Sequence, residues 1–250
     1  MFRSAALLLP LALALVAADR PPPPYLDGAD VPDLTRVLPP PPARDEARAR
    51  DDRDTFRRTR RLAGTPRWAL ATRDVGDDRF TVFACALGRA LDAASAPATA
   101  RLFERVGDGG MVSRAKAAFA VRRPYLDQPG AICEPRTAHL AANGDYPSGH
   151  TSGGWISALI LAELVPSRAT AILARGRSFG ESRYICGSHS RSAVEAGYLA
   201  GAAAVSRLHA EAAFRADMEA ARDELARLLP ARPGLATSRC AAEAAALGTR

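Results

Sequence analysis

Lysine is used once in this chain. Of the 34 Lys and Arg residues, only Lys116 is a lysine. A surface position accepts either cation, whereas a site that needs a compact ammonium on a flexible stem does not. Arg123, followed by Pro124, lies seven residues further on. We therefore expect Lys116 and Arg123 to bind an anion, the plain alternative being that Lys116 is a stray surface residue.

Ser148, Gly149 and His150 form a second block of residues suited to anion chemistry. Glycine after serine lets the backbone turn sharply, so N–H groups and the Ser148 hydroxyl can converge on one anion. An apolar helix predicted from Thr151 places its positive end at the same point. His150 would then stand beside the anion and deliver a proton. A simple turn before a helix is the alternative interpretation.

A third block contains Arg183 and His189. The guanidinium of Arg183 presents a planar fork that suits two phosphate oxygens. The chain has four histidines, and two of them, His150 and His189, fall in these short blocks. His139 and His209 have no such neighbours, so we interpret them as ordinary surface or packing residues.

Three cations, a Ser-Gly backbone nest and two imidazoles suit a tetrahedral oxyanion better than a metal. Too few carboxylates accompany the histidines for a two-metal phosphatase, and no Gly-rich nucleotide loop is present. We therefore expect no metal and no cofactor.

The four cysteines lack metal-binding spacing, and in an exported chain they permit one or two disulfides with the pairing open. Buried thiols are the alternative for these residues, which are Cys85, Cys133, Cys186 and Cys240.

The elements that must position these blocks are helices, because Ala, Leu, Arg and Glu dominate and no segment alternates with period two. We expect an all-α fold, a compact single-domain bundle with the site in loops and helix ends at one end. Lys116 should lie on a helix that Pro124 helps to end. The other predicted helices are Phe80–Leu91, Ala98–Val106, Thr151–Val165, an amphipathic Ser167–Glu181, and two helices within Ser192–Leu229 with a break near 210–214.

The first 18 residues have the pattern of a secretory signal peptide: a positive start, an apolar run and small residues at a cleavage point. This predicts a periplasmic protein, with no membrane span in the mature chain, a retained anchor being the alternative. Residues 19–45 are Pro-rich and predicted to be extended surface linkers, 46–230 form the helical domain, and 231–250 form a tail. The formal charge of +7 is spread among acidic residues, which argues against nucleic acid and for an anionic small molecule.

In order and spacing, the three blocks resemble the signature of the type-2 phosphatidic acid phosphatase superfamily, which has the vanadium haloperoxidase-like fold. The flanking residues resemble most closely the bacterial class A non-specific acid phosphatases, over roughly residues 50 to 230. The resemblance implies a metal-independent phosphomonoesterase that forms a phosphohistidine on His189, with His150 as the acid and base. It also implies that the transferring phosphoryl group is held by Lys116, Arg123, Ser148, the Gly149 amide and Arg183.

The chain departs from the family motif at Ala193, where the motif has an aspartate four residues after the nucleophilic histidine. Without that carboxylate we expect a less controlled His189 tautomer and reduced or altered activity. An Ala193→Asp substitution should then raise kcat/KM, unless another group already orients the ring. Asp145 places a negative charge near the anion site for which the sequence offers no reason.

Other functions compete with this interpretation. A non-catalytic phosphate-binding relative would retain the anion site without turnover, and a vanadate-dependent haloperoxidase would use the same pocket shape. A lipid phosphatase is disfavoured because no span is predicted in the mature chain. The expected partner is a small phosphomonoester, and the resemblance alone implies a homo-oligomer.

Overall fold

The computed structural model describes residues 22–26, 28, 31–230 and 237–248, and within them it is all-α, without a strand. The predicted signal peptide lies outside these residues. The helices are α1 (Leu34–Val37), α2 (Ala47–Arg60), α3 (Pro66–Gly76), α4 (Arg79–Leu87), α5 (Pro97–Arg105), α6 (Met111–Phe119), α7 (Pro124–Asp127), α8 (Ala138–Ala142), α9 (Gly149–Leu164), α10 (Ala169–Cys186), α11 (Arg191–Leu208), α12 (Ala212–Leu228) and α13 (Ser238–Leu247), with a 3₁₀ turn at Pro166–Arg168.

Helix α9 lies at the centre of the bundle, packed against α10 on one side and α11 on the other. Small residues allow the close approach: a Cβ on Gly201 would stand 2.9 Å from the Ser152 carbonyl oxygen, and one on Gly176 would overlap the Cβ of Ala158. The glycines therefore set how closely the three helices pack, and with it the positions of the helix ends that carry the candidate site.

Several sequence predictions are confirmed, including the break before α12 and the helix that carries Lys116. Others are wrong in detail. Helix α4 ends at Leu87 because Gly88 adopts a left-handed conformation, so Leu91 lies outside it. Helix α6 ends at Phe119, and Pro124 instead begins α7, where a missing N–H costs nothing.

Helix α10 differs most from its prediction. It continues to Cys186, and its buried face includes Arg175, Ser178, Ser182 and Arg183, so an apolar stripe facing the core does not describe it. Buried polar groups of this kind need partners, and those partners are part of the site described below.

Segments near both ends of the described chain pack against the bundle. In the Pro-rich segment, predicted to be surface linkers, Tyr25, Leu26, Leu34 and Leu38 are buried in the main core. Helix α13, in the segment predicted to be a tail, is joined to α4 by the disulfide Cys85–Cys240. A second disulfide joins Cys133 to Cys186 at the end of α10, so two disulfides form and the buried-thiol alternative is wrong.

The close α9–α10 packing can be tested with two alanine substitutions. Gly176→Ala adds a methyl group against Ala158 and should lower the free energy of unfolding by about 1–3 kcal/mol. Gly153→Ala is the matched control, because no atom lies within 4 Å of its added Cβ. The control should stabilise the protein by up to about 1 kcal/mol through helix propensity. Equal urea midpoints for the two variants would contradict the packing argument.

Candidate active site

The starts of α9 and α11 meet the ends of α6 and α10. Ser148 caps α9, and its backbone N–H donates to the Ala193 carbonyl on α11 at 2.9 Å. Ser190 caps α11, and its hydroxyl accepts from the Ala193 N–H. This pairing places the predicted Ser148, Gly149 and His150 block beside the segment that carries His189.

His189 is buried between a cation and an anion. Its Nε2 lies 3.1 Å from Nη1 of Arg123, and its Nδ1 lies 2.9 Å from Oδ1 of Asp145 and 2.8 Å from the Asp145 carbonyl oxygen. A guanidinium only donates, so Nε2 must be the unprotonated nitrogen and Nδ1 must carry the hydrogen. Burial, followed by the charges of Arg123, Lys116 and Arg183, holds the pKa of His189 well below its usual value. The ring is therefore neutral, with its Nε2 lone pair turned toward the cations.

Lys116 and Arg123 are both tied to the loop that precedes the second block. Arg123 donates from Nε to the Asn143 carbonyl at 2.7 Å and from Nη1 to the Ser188 carbonyl at 2.8 Å, and Lys116 donates to the Gly144 carbonyl. Burial, helped by the charge of Arg123, lowers the pKa of Lys116 to about 8. The lysine therefore remains mostly charged at neutral pH and loses its charge in mildly basic solution.

Arg183 presents donors that fit an oxyanion. One nitrogen, Nη2, donates to Glu134 Oε1 at 2.5 Å, while Nε and Nη1 are buried without a hydrogen-bond partner. Unpaired buried donors are costly, and a phosphate oxygen would satisfy them. Glu134 follows Cys133, whose disulfide with Cys186 holds the loop against the end of α10. The same loop therefore keeps a counter-charge on Arg183.

His150 lies in the first turn of α9, with its ring stacked on Phe179 at a centroid distance of 4.6 Å. Its Nε2 is 2.6 Å from the Asp74 carbonyl oxygen, which only accepts, so Nε2 carries a hydrogen and Nδ1 is the nitrogen that titrates. Burial first, and then the charge of Arg183, lower the pKa of His150 to about 4. The ring is neutral in the unliganded protein.

A buried ion network fixes the carbonyl that holds His150. The carboxylate of Asp74 accepts from Arg175 Nη2 at 2.5 Å and from the Ser182 hydroxyl at 2.6 Å. Arg175 also donates to Glu243 on α13 at 2.9 Å. The C-terminal helix thus supports the position of His150 through two ion pairs.

A cleft of about 560 Å³ opens beside His150. Its lining includes three glycines and the charged residues Asp77, Asp78, Arg79 and Glu104; the aromatic members are Phe80, Phe83, Phe103 and Phe179. The cleft can take an organic group attached to an anion at the cationic cluster.

Arg123 contacts the His189 ring directly, and the charges of Lys116 and Arg183 also act on it, lowering its pKa. The two remaining histidines lie elsewhere, as predicted: His139 is exposed, and His209 pairs with Glu163.

Sequence reasoning left the role of Asp145 unexplained and missed three other residues that hold this site: Asp74, Glu134 and Phe179. Asp145 drew attention because it stands three residues before Ser148. The other three are distant in sequence from the blocks they contact, and no local pattern marks them. Among the described residues, no cluster of His, Cys, Asp or Glu has the arrangement of a metal site.

The chain is similar in sequence to a known superfamily and to known acid phosphatases. Residues 97–213, which contain all three blocks, match the PAP2 superfamily. An acid phosphatase of Zymomonas mobilis is 44% identical over 198 residues, covering 77% of this chain and 75% of the relative. Non-specific acid phosphatases of Salmonella typhimurium and Providencia stuartii are each 33% identical, over 75% and 82% of this chain and 78% and 85% of their own lengths.

The chain belongs to the PAP2 superfamily of phosphatases and, within it, to the bacterial non-specific acid phosphatases. It is thus a member of a family of phosphoric monoester hydrolases, and the class A resemblance is confirmed. In the part of the chain that the structure covers, none of the helices combines the length and hydropathy needed to cross a bilayer.

The lowered pKa of Lys116 predicts how anion binding depends on pH. Sulfate keeps its charge across the basic range, whereas Lys116 loses its charge as the pH rises through about 8. The affinity for sulfate should fall about tenfold between pH 7 and 9.5, as expected when one charge-assisted contact of about 1.4 kcal/mol is lost. Calorimetric titration measures this change. A Lys116→Ala variant should bind sulfate weakly at pH 7 and lack the decline; an equal decline in both proteins would contradict the assignment.

Proposed function

We propose that this protein hydrolyses phosphomonoesters without a metal ion, through a phosphohistidine on His189. The observation that carries the proposal is the contact between Nε2 of His189 and Nη1 of Arg123, which are 3.1 Å apart. Because a guanidinium only donates, this Nε2 keeps its lone pair and the ring is neutral. A buried imidazole kept unprotonated among cations is suited to attack phosphorus.

In the first step, Nε2 of His189 forms a bond to phosphorus while the bond from phosphorus to the ester oxygen breaks. His150 gives its Nδ1 proton to the departing alcohol. In the second step His150 takes a proton from water, the water oxygen bonds to phosphorus, and the bond to Nε2 breaks. The products are the alcohol and inorganic phosphate, and both histidines return to their starting states.

The remaining predicted site residues would stabilise charge on the phosphoryl group. Lys116, Arg123 and Arg183 supply cations, while the Ser148 hydroxyl and the Gly149 N–H lie at the positive end of α9. Phosphoryl transfer depends mainly on this positioning and on electrostatic stabilisation. A side chain on Gly149 would crowd Val112, with its Cβ 3.3 Å from Cγ1 of that residue, so close packing against α6 also favours glycine here.

The pKa shifts of the two histidines account for an acidic optimum. A bound phosphate dianion favours the protonated form of His150 and raises its pKa from about 4. The first step needs this proton, so the rate falls as the pH rises through the pKa of His150 in the complex. The attack needs unprotonated His189, so the rate also falls as the pH drops through its lowered pKa. The two limits give a bell-shaped profile on the acidic side of neutrality.

The substrate, compartment and assembly follow from less direct observations. The aromatic cleft beside His150 supports phosphomonoesters of varied organic alcohols as substrates. Two disulfides and a signal-like N-terminus support secretion into the periplasm. A homo-oligomer is proposed from the family alone.

The intact His189 geometry favours turnover over simple phosphate binding, and the similarity to phosphatases over most of the chain favours hydrolysis over halide oxidation.

Removal of the His189 nucleophile tests the mechanism. His189→Ala should lower kcat on p-nitrophenyl phosphate by at least about 1000-fold, the scale seen when a catalytic nucleophile is lost. His139→Ala, at an exposed position, is the matched control and should retain activity. Wild-type turnover should persist in EDTA and be inhibited by vanadate.

Direct trapping of the intermediate completes this test. Alkaline quenching during turnover should leave a phosphoryl group on His189, found by peptide mass spectrometry. Full activity in His189→Ala, or loss of wild-type activity in EDTA, would refute the proposed mechanism.

A further inference from the structure

We propose that Asp145 is the positioning residue for His189, and that it takes the place of the aspartate that the family motif carries at position 193. The inference rests on the proposed phosphohistidine mechanism and adds to it the group that controls the nucleophile. It also gives a role to the one charge near the site that the sequence left without a reason.

Asp145 contacts the side of the His189 ring opposite the reacting nitrogen. Oδ1 lies 2.9 Å from Nδ1, and both residues are buried, with 2% and 3% of their surfaces exposed. The carbonyl oxygen of Asp145 lies 2.8 Å from the same Nδ1. One residue thus offers both a neutral and an anionic acceptor to the Nδ1 hydrogen. This arrangement leaves Nε2 as the lone-pair nitrogen, and the carboxylate stabilises the positive charge that develops on the ring when Nε2 attacks.

The carboxylate of Asp145 is itself held by the residue that follows the nucleophile. Oδ1 accepts from the Ser190 N–H at 3.1 Å, and Oδ2 accepts from the Ser190 hydroxyl at 2.6 Å. The N–H of Asp145 donates to the Val121 carbonyl at 2.8 Å, which fixes the backbone. Because Asp145 and the His189–Ser190 segment bind each other at several points, the ring cannot rotate without breaking these contacts.

The alanine at position 193 fits the same arrangement. Ala193 is fully buried, and its N–H and Asp145 share the Ser190 hydroxyl. A less controlled His189 tautomer is therefore no longer expected, since Nδ1 already faces a carboxylate. An aspartate at 193 would place a second buried carboxylate near the first, which is unfavourable. Ala193→Asp should therefore not raise kcat/KM; this value should stay level or fall.

The charges around the pair determine how it responds to pH. His189 faces Lys116, Arg123 and Arg183, and Asp145 faces Arg123 and the more distant Asp52. Burial raises the pKa of Asp145 to about 6, against the opposing effects of the Ser190 hydrogen bonds and Arg123. The carboxylate is therefore ionised above about pH 6 and progressively protonated below it. Protonation would weaken its support for the positive imidazole of the phosphohistidine.

The test compares Asp145→Asn, which keeps the shape and removes the charge, with Ser190→Ala, which keeps the charge and removes the hydroxyl that donates to it and caps α11. Asp145→Asn should lower kcat about 100-fold or more, below the limit of about 10⁴ for removing the orienting carboxylate in the serine-protease triad. KM and sulfate affinity should change less than about threefold, because the cations remain in place. Because the pKa of Asp145 lies above that of His189, the first fall of kcat on the acidic side is a limb set by Asp145; in this variant that limb should disappear and leave only the one set by His189.

Ser190→Ala should lower kcat less than Asp145→Asn and move the same limb to higher pH, because the lost hydrogen bond had lowered the pKa of Asp145. This limb is measured on active Ser190→Ala protein, so the result does not depend on whether Asp145→Asn folds. An unmoved limb in Ser190→Ala, or a kcat within threefold of wild type in Asp145→Asn, would overturn the assignment. Neither result would touch the phosphohistidine mechanism, which fails separately if His189→Ala remains active.

Discussion

The site depends on a buried imidazole clamped between a guanidinium and a carboxylate. Arg123 donates toward Nε2 of His189 and Asp145 accepts from Nδ1, so the two neighbours together define one tautomer. Each contact would be weak in water, but burial removes the competing solvent and makes both orientations costly to reverse. The fold has to deliver these two side chains from separate loops onto one ring.

The packing of the helix ends brings these side chains together. Helices α9 and α11 start side by side, linked by the bond from the Ser148 N–H to the Ala193 carbonyl, and their glycines permit the close packing behind it. Burying three cations at one place is unfavourable, and the structure offsets it locally with Glu134, Asp145 and backbone carbonyls. The two disulfides hold the flanking elements: one fixes the loop of Glu134, the other the helix of Glu243.

The sequence predicts which residues form the site better than it predicts the hydrogen bonds and ion pairs between them. The single lysine and the spacing of the three blocks predict the proposed phosphate ligands and both histidines, because the chemistry needs certain residue types at certain intervals. The helices follow from composition, although local signals such as Gly88 and Pro124 shift their bounds. The partners of the histidines are harder to predict. Asp74 and Glu134 come from remote segments, and their roles exist only once the chain has folded. Asp145 was visible beside the second block, but its contact with His189 spans 44 residues.

The proposed attack on phosphorus depends on one state of His189, a neutral ring with its hydrogen on Nδ1 and its lone pair on Nε2. Nitrogen-15 NMR of histidine-labelled protein measures this directly, because the two ring nitrogens of a neutral imidazole have distinct chemical shifts. At pH 7, without ligand, His189 should show a protonated Nδ1 and an unprotonated Nε2. A His189 with hydrogen on Nε2, or with both nitrogens protonated at that pH, would contradict this arrangement.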